Sequence, residues 1–453
     1  MGGARTRRDF LSQGLRAGVA LAASPLVAAA AQEAPPGLGD LRRLYPDLER
    51  HFVFEYYPWY GGPPDYEHWD YLERRPPLDL STRYVPKLGA YDVRSVAVLE
   101  QHARWIREAG VGAVALSWWG RESWQDRTVP LILDVLRAHD LKATFALEPY
   151  ADDRARYYAS DILYLLREYG EKRHWDAFLL LRNADGRVGP VFKSFRTVLP
   201  EAATDCLGET HPVSDFTSDS FWRRQTDSLR DTLRADFDQV TLLADSLEFA
   251  RTPASGFDGI GIYDNFIPPE SYRGYAEGAS RAGLLFSFNV NPGYDQIEPR
   301  QTADPCYAPR DFAPPTPGLD FGSALGRERA ALASASRIRA SWEETLAVQL
   351  DPELANARKG FLLVYVNSFN EWHEGHSFEP MKDAAELTPD ERALGYRNPE
   401  RGDYRLRALG ELQRTILEPS FRNTRMSSAP RMERVASSSY PSLPSSLTSS
   451  RFV

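Results

Sequence analysis

The sequence is poor in the residues from which several common kinds of site are built. Only two cysteines, Cys206 and Cys306, occur among 453 residues, and no CxxC pair is present. This argues against a zinc cluster held by cysteines. Because spacing along the chain says nothing about proximity, pairing of the two cysteines stays open, and we expect both to be incidental.

Other absences exclude further classes of protein. No GxGxxG follows the first predicted strand, so a dinucleotide site has no support. The formal charge of -9 lacks the basic excess of proteins that bind nucleic acid or anionic lipid. No repeat of fixed period is visible, and beyond the N-terminal region no apolar run is long enough for a stable membrane span. The acidic chain remains compatible with a neutral partner such as a sugar.

The two ends of the sequence read differently from the rest. Residues 1–31 begin with a charged stretch and continue as an alanine-rich apolar one, the pattern of a cleaved export signal. The pair Arg7–Arg8 resembles a twin-arginine signal, which predicts a bacterial periplasmic or extracellular location, while a disordered start or an anchor is the alternative. Residues 425–453 are rich in serine and proline and predict disorder. One folded domain is expected over 45–424.

Short apolar segments recur along this domain and predict strands buried on both faces, as in a parallel sheet. They lie at 51–57, 112–119, 142–150, 239–245, 257–265, 284–291 and 361–372, while 177–183 and 190–195 compete for one further position. Helical patterns lie between them at 94–110, 128–139, 153–170, 219–235, 270–282 and 329–350. This alternation, repeated about eight times, predicts an α/β fold of the (β/α)8 TIM-type barrel, with a doubly wound open sheet as the alternative.

Polar and aromatic residues gather at the C-terminal ends of the predicted strands. In chain order they are Tyr57, Trp59 and Tyr60; Ser117, Trp118 and Trp119; Glu148 and Tyr150; Tyr263; Asn289 and Asn291; and Asn370, Glu371 and Glu374. His68 follows the first strand on a loop, and His373 lies between the last two acids. Because these strand ends form one face of a barrel, where active sites lie, we predict a single site there.

The paired acids in 367-NSFNEWHEG-375 indicate the chemistry of that site. Cleavage of a glycosidic bond usually needs two carboxyl groups, one of them protonated near neutral pH. Glu371 and Glu374 are such a pair, and Glu148 is a third acid that could reach the same pocket. Strand-end tryptophans and tyrosines suit the faces of sugar rings, so an oligosaccharide or polysaccharide is the expected partner.

A metal site is not expected at 373-HEGH-376. The zinc motif HExxH places two histidines four residues apart on one face of a helix. Here the histidines are three apart, with a glycine between them, after a strand. We therefore predict no metal and no cofactor, and a metal-dependent hydrolase remains a weaker alternative.

Six motifs resemble those of glycoside hydrolase family 99, the endo-α-1,2-mannosidases and mannanases. They are 56-YYPWYGGPPDYEHWD-70, 117-SWWG-120, 147-LEPY-150, 257-FDGIGIYDN-265, 289-NVNPGYD-295 and 367-NSFNEWHEG-375, spread over most of 50–380. The resemblance implies a (β/α)8 barrel and a retaining reaction in which no carboxylate attacks the sugar. Glu371 would act as the base on the 2-hydroxyl of mannose, and Glu374 as the acid that protonates the departing oxygen.

The same resemblance implies roles for residues of the other motifs. Glu148 and Tyr263 would hold substrate hydroxyls or assist the 2-oxygen, and Tyr57, His68, Trp118 and Trp119 would line the subsites. The strand-end pattern adds Tyr60, Tyr150, Asn291, Asn370 and His373 as substrate-binding candidates.

The sequence also departs from the family pattern. After NEWHEG the family usually continues with Thr-Gln-Ile-Glu, whereas this chain has His376, Ser377, Phe378 and Glu379. The region 151–235 shows little that matches, so the reaction class transfers better than the glycan. A non-catalytic periplasmic glycan-binding protein on the same barrel is the alternative to a hydrolase.

Overall fold

The fold is described here from a computed structural model, which covers residues 41–302 and 304–417. The predicted export signal and the predicted disordered tail lie outside these residues. Over the described part, no helix combines the length and the apolar character that crossing a bilayer requires.

The described residues contain twelve strands and eleven α-helices. The strands are β1 (Phe52–Tyr56), β2 (Ala113–Trp118), β3 (Lys142–Leu147), β4 (Leu180–Arg182), β5 (Val188–Ser194), β6 (Ala202–Thr204), β7 (Thr210–Pro212), β8 (Thr241–Ala244), β9 (Gly259–Gly261), β10 (Leu285–Ser287), β11 (Asn289–Val290) and β12 (Val364–Val366). The helices are α1 (Leu41–Leu44), α2 (Val96–Glu108), α3 (Trp124–Ala138), α4 (Tyr158–Leu165), α5 (Asp219–Leu233), α6 (Arg251–Ala254), α7 (Tyr272–Arg281), α8 (Ala324–Gln349), α9 (Ala355–Arg358), α10 (Pro389–Ala393) and α11 (Tyr404–Leu417).

The parallel strands close into a barrel. Along the sheet the order is β10-β9-β8-β5-β3-β2-β1-β12-β11, and every neighbouring pair on this path is parallel. β10 and β11 are two pieces of one strand on either side of Phe288, because β10 pairs with β9 and β11 pairs with β12. The predicted (β/α)8 barrel is therefore confirmed, and the open doubly wound sheet is not.

Two apolar layers follow from the alternation of side chains along each strand. On β2, Ala113 and Ala115 point into the barrel with Val53 and Leu243. Val114 and Leu116, by contrast, belong to the core that lies between the strands and the helices. Because both faces of the barrel strands are buried, their sequences read as continuous apolar runs.

The competition between two segments for one barrel position is settled by β5. β5 lies between β3 and β8 in parallel, whereas β4 pairs with β5 in antiparallel fashion outside the path of the barrel. All but the last residue of 190–195 therefore lies in the barrel strand, and 177–183 holds a short strand beside it.

The expectation that the cysteines are incidental is wrong. Cys206 and Cys306 form a disulfide. Cys206 lies in the turn of the β6–β7 hairpin, and Cys306 lies in the long loop between β11 and α8. The bond therefore ties together two excursions that leave the barrel after different strands.

Candidate active site

The loop after β12 carries both predicted acids, and neighbouring strands hold its backbone. The amide of Asn367 donates to the carbonyl of Val290 at 2.9 Å, and the amide of Phe369 donates to that of Glu55 at 2.8 Å. The side chain of Asn370 accepts from the amide of Tyr57 at 2.7 Å and donates to its carbonyl at 3.0 Å. Asn370 therefore fixes the acidic loop against the end of β1, and its amide serves the backbone.

Gly375 lets this loop turn between Glu374 and His376. Its φ is +67°, a conformation that L side chains rarely adopt, and an added Cβ would lie 2.2 Å from the carbonyl oxygen of Asp295. The amide of Asp295 also donates to the carbonyl of Glu374 at 3.0 Å. The loop and the segment after β11 are thus in direct backbone contact beside the acid.

Glu371 is almost completely enclosed, with 2% of its surface exposed. Its amide donates to Ser368 Oγ at 2.8 Å, and its Oε1 accepts from the amide of His373 at 3.1 Å. The hydroxyl of Tyr60 accepts from the amide of Trp372 at 3.0 Å. Burial, and after it the charge of Glu371, raises the pKa of Tyr60 well above its usual range, so this hydroxyl stays protonated.

Glu374 is 8% exposed, and its Oε2 contacts one residue from another strand end and one from its own loop. The hydroxyl of Tyr263, which follows β9, donates to Glu374 Oε2 at 2.6 Å. His376 Nε2 lies 2.7 Å from the same oxygen. Tyr263 is therefore placed against the predicted acid by a different strand, as the sequence predicts for residues at converging strand ends.

Aromatic rings cover this face of the barrel next to the acids. We call Tyr57, Trp59, Tyr60, His68, Trp119 and His373 the aromatic cluster. Trp59 is at its centre, with ring centroids 4.8 Å from Tyr57, 4.7 Å from His68, 6.4 Å from Trp119 and 5.9 Å from His373. Trp59 is not among the predicted site residues, although it lies at a predicted strand end and within the YYPWYGG motif.

The two histidines of the aromatic cluster are held face to face. Their ring centroids are 5.8 Å apart, and His373 Nε2 lies 2.9 Å from the carbonyl oxygen of His68. Enclosure, and after it the neighbouring His373, lowers the pKa of His68 to about 3. His68 is therefore neutral near pH 7 and presents a ring face rather than a charge.

Glu148 is linked to the aromatic cluster through Ser117. Ser117 Oγ donates to Glu148 Oε1 at 2.9 Å, and Trp119 Nε1 donates to Ser117 Oγ at 3.1 Å. Ser117 follows the inward parity of Ala113 and Ala115 on β2. The hydrogen bonds thus join the ends of β2 and β3 in one arrangement that includes two of the predicted substrate-binding residues.

Three predicted site residues lie elsewhere. Trp118 follows the outward parity of β2, and its Nε1 donates to Asp126 on α3 at 2.8 Å. Tyr150 packs against Trp118, with centroids 5.6 Å apart, and its hydroxyl donates to Asp161 on α4. Their contacts place both residues in the layer between strands and helices, so the prediction that they touch substrate has no support from their placement.

Asn291 is the third of these residues. Its amide nitrogen donates to the hydroxyl of Tyr272 at 3.2 Å, and its Oδ1 accepts from Arg337 Nε at 3.1 Å. These contacts lie with α7 and α8. Asn291 therefore connects the end of β11 to its helices and is not brought to the acids by the contacts described.

One buried ion pair lies within the barrel below the aromatic cluster. The ammonium of Lys193 on β5 donates to Glu55 on β1, and the side chains are 1% and 2% exposed. Lys193 Nζ lies 5.6 Å from the ring centroid of Tyr263, and the Tyr57 hydroxyl lies 3.4 Å from Glu55 Oε2. The pair thus supports two tyrosines of the site from below.

Over the described residues, the group that could hold a metal ion lies on the surface hairpin. Asp205, Glu209 and His211 place one ligand atom each within 4.8 Å of one another on β6–β7. At the predicted site, His373 and His376 face different partners, the carbonyl of His68 and the carboxylate of Glu374. The HEGH segment thus does not bring its two imidazoles to one point.

Comparisons with known proteins agree with this geometry. Residues 47–195 match the family model described as Glycosyl hydrolase family 99. The glycoprotein endo-alpha-1,2-mannosidase of Mus musculus is 26% identical over 382 residues, which cover 76% of this chain and 70% of the relative. The glycoprotein endo-alpha-1,2-mannosidase-like protein of Homo sapiens is 26% identical over 394 residues, covering 78% and 72%.

A solved structure supports the fold. The GH99 endo-alpha-mannosidase from Bacteroides thetaiotaomicron superposes with a TM-score of 0.57 at 19% identity, covering 81% of this chain and 98% of the other. At this identity the similarity carries the barrel, and the reaction must be argued from the residues.

Proposed function

We propose, on the premise that this chain is a glycoside hydrolase of the family 99 endo-α-mannosidase type, that it cleaves α-mannosidic linkages within a glycan by participation of the 2-hydroxyl. The observation that carries the proposal is the loop after β12, which holds Glu371 and Glu374 beside the aromatic cluster at the C-terminal face of a closed barrel. Glycoside cleavage usually needs two carboxyl groups, and the rings of the aromatic cluster offer flat faces on which a sugar can stack.

In the first step Glu371 takes the proton of the 2-hydroxyl, and the 2-oxygen attacks C1 from the face opposite the leaving group. The C1–O bond to the leaving group breaks, and Glu374 gives its proton to the departing oxygen. The product on the enzyme is a 1,2-anhydro sugar, with Glu371 protonated and Glu374 ionised.

In the second step water opens the three-membered ring at C1. Glu374 takes a proton from the water, while Glu371 returns its proton to the 2-oxygen as the C1–O2 bond breaks. Two inversions at C1 give net retention, and both acids end in their starting states. Acid–base help of this kind gives about 10²–10⁴-fold, so binding and electrostatics must supply the rest of the rate enhancement.

The proposal is tested with α-1,2-linked manno-oligosaccharides and a wider glycan panel, with the anomeric form of the first product read by NMR. Retained α-products are expected. Inverted product would contradict the participation mechanism, and tight binding with no cleavage across the panel would favour the glycan-binding alternative instead.

The roles of the two acids can be distinguished by the choice of leaving group. On α-mannosyl fluoride, whose fluoride leaves without protonation, Glu374→Gln is expected to keep glycosylation activity that Glu371→Gln loses. Glu411→Gln, on the exposed side of α11, is the matched control and should behave as the wild type. If both site variants lost equal activity on α-mannosyl fluoride and on the manno-oligosaccharide, the division of roles between the acids would be contradicted.

Export of the protein is a further part of the proposal. The twin-arginine-like start of the sequence supports it, and the disulfide between Cys206 and Cys306 suits an oxidising compartment. Fractionation of a bacterial host should find the wild type in the periplasm and the variant Arg7→Lys/Arg8→Lys in the cytoplasm. Equal distribution of the two would remove the twin-arginine assignment.

A further inference from the structure

His376 stands where this sequence departs from the family pattern, and it touches the predicted acid. Its side chain is fully buried, with 0% exposed. Nε2 lies 2.7 Å from Glu374 Oε2 and 3.1 Å from the hydroxyl of Tyr263, while Nδ1 lies 3.1 Å from Ser368 Oγ. The imidazole therefore contacts the acid Glu374 through Nε2 and, through Nδ1, the serine that accepts the amide hydrogen of the base Glu371.

The hydrogen bonds around Ser368 favour one tautomer of His376. Ser368 Oγ accepts the amide hydrogen of Glu371 at 2.8 Å, so its own hydrogen is available to donate to Nδ1. Nδ1 of the neutral ring is then the acceptor, and Nε2 carries the hydrogen. Nε2–H points at Glu374 Oε2, which also accepts from Tyr263.

We propose that His376 is a positioning residue for the general acid: as a neutral Nε2–H donor it holds Oε2 of Glu374 and leaves the transferable proton to Oε1. An oxygen that already accepts two hydrogen bonds is the less favourable place for a proton, so the acidic hydrogen is directed to the other oxygen. This deepens the proposed function and rests on the assignment of Glu374 as the acid.

The chain of contacts also joins the two acids. It runs from the amide of Glu371 through Ser368 and His376 to the carboxylate of Glu374. Each link is buried, so each hydrogen bond lies in a medium less polar than water and is strengthened by it. The relative position of base and acid is thereby fixed by this network in addition to the short stretch of backbone that joins them.

Other charged and titratable groups face this network from every side. They are Tyr263 after β9, Tyr294 and Asp295 after β11, Arg310 on the following loop, Glu371 on the same loop, and Arg405 from α11. None of them is changed by a substitution at position 376, so a shift in the pH profile of such a variant reports the contact of His376 itself.

The test compares two variants that cannot titrate. Gln in His376→Gln can donate from its amide nitrogen near the place of Nε2, whereas Leu in His376→Leu fills similar space without a donor. A donor to the carboxylate favours the ionised form, so its loss raises the pKa of Glu374. The alkaline limb of kcat/KM, along which the acid loses its proton, is expected to move up by about one to two pH units in His376→Leu and to stay in place in His376→Gln.

A purely structural role would give a different result. Both variants would then lose activity at every pH with the alkaline limb unmoved, and the proposal would fall. Absence of any glycosidase activity in the wild type would instead contradict the proposed function.

A measurement without substrate keeps the two failures apart. Titration of carbon-13-labelled glutamate carboxyl groups, with the Glu374 signal assigned through Glu374→Gln, should show the same upward shift in His376→Leu only. An unchanged Glu374 titration in a folded His376→Leu protein would overturn the inference, whatever the substrate proves to be.

Discussion

The hydroxyl of Tyr263 donates to Oε2 of Glu374 across 2.6 Å, although the two residues are 111 positions apart in the chain. Tyr263→Phe removes that donor and keeps the ring. Hydrogen bonds to charged groups contribute about 1.5–3 kcal/mol, so kcat/KM should fall about 10- to 100-fold. The alkaline limb of the pH profile of kcat/KM should also move to higher pH. Tyr169→Phe, which removes a buried hydroxyl bonded to Asp126, controls for loss of stability, and equal activity losses in both variants would count against a role for Tyr263.

The pair of Lys193 and Glu55 is expected to matter for stability more than any surface pair. Lys193→Met leaves the buried carboxylate of Glu55 without its cation, and loss of one partner of a buried pair costs about 3–5 kcal/mol. Urea unfolding should show this loss, and Lys193→Met/Glu55→Gln should recover part of it. Lys87→Met breaks the exposed pair with Glu386 and should cost no more than about 1 kcal/mol. A similar cost for both lysine variants would contradict the expected difference.

The disulfide closes a loop of 100 residues. In the chain-entropy picture a bond across such a span destabilises the unfolded state by about 4–5 kcal/mol. Cys206→Ser/Cys306→Ser should therefore unfold at markedly lower urea concentration than the oxidised wild type. With reductant present, the urea midpoints of the two proteins should coincide. A wild-type midpoint that is unchanged when the disulfide is reduced would show that the bond does not contribute to stability.

His51 should make the folded protein sensitive to acid. It is 2% exposed, with Nδ1 at 2.8 Å from the carbonyl oxygen of Leu362, and burial lowers its pKa from 6.5 to about 4. In the unfolded chain His51 binds its proton near pH 6.5, so the unfolded state takes up more protons between pH 6.5 and about 4. The free energy of unfolding therefore falls as pH drops through that window, and at pH 7.5 the effect is absent.

His51→Asn keeps a group that can bond to Leu362 but removes the titration. Its free energy of unfolding should fall less than that of the wild type between pH 7.5 and pH 4, by up to about 3 kcal/mol. Parallel curves for the two proteins over this range would contradict a buried neutral histidine at position 51.

The strands could be predicted from the sequence because a barrel buries both faces of each one. The same rule could not decide between 177–183 and 190–195. Leu179 and Leu181 of the first segment are as buried as Val191 of the second, since they pack on the same interior cluster. Apolar content indicates that a segment is buried. It does not indicate which segment pairs with β3 and β8, because that depends on contacts between residues far apart in the sequence.

The candidate site could be located from strand ends, but the direction of each side chain needed the register. In Ser117–Trp118–Trp119 the middle residue faces the helices, because Val114 and Leu116 share its parity. Because side chains alternate along a strand, one residue known to point inward fixes the direction of all the others on β2. The pairing of Cys206 with Cys306, in contrast, depends on the paths of two loops and had no local signal.

His376 shows the other limit of prediction. A histidine after Glu-Gly gives no local indication of what it contacts, and the metal site that HEGH could suggest is disfavoured by the spacing of its histidines. Its role emerges only when the turn at Gly375 brings Nε2 back onto Glu374. The contacts of this departure from the family pattern are therefore visible only in the folded structure.

The barrel joins its first strand to its last, with Phe52 to Phe54 opposite Val364 to Val366. More than three hundred residues separate β1 from β12, so the second edge of β1 is paired only late in synthesis. Glu371 and Glu374 follow β12 in the chain. A chain that stops before β12 leaves one edge of β1 unpaired, and an unpaired strand edge can associate with other chains. On the proposed assignment of the acids, a chain that ends before β12 therefore lacks both the last strand of the barrel and the residues of the proposed reaction.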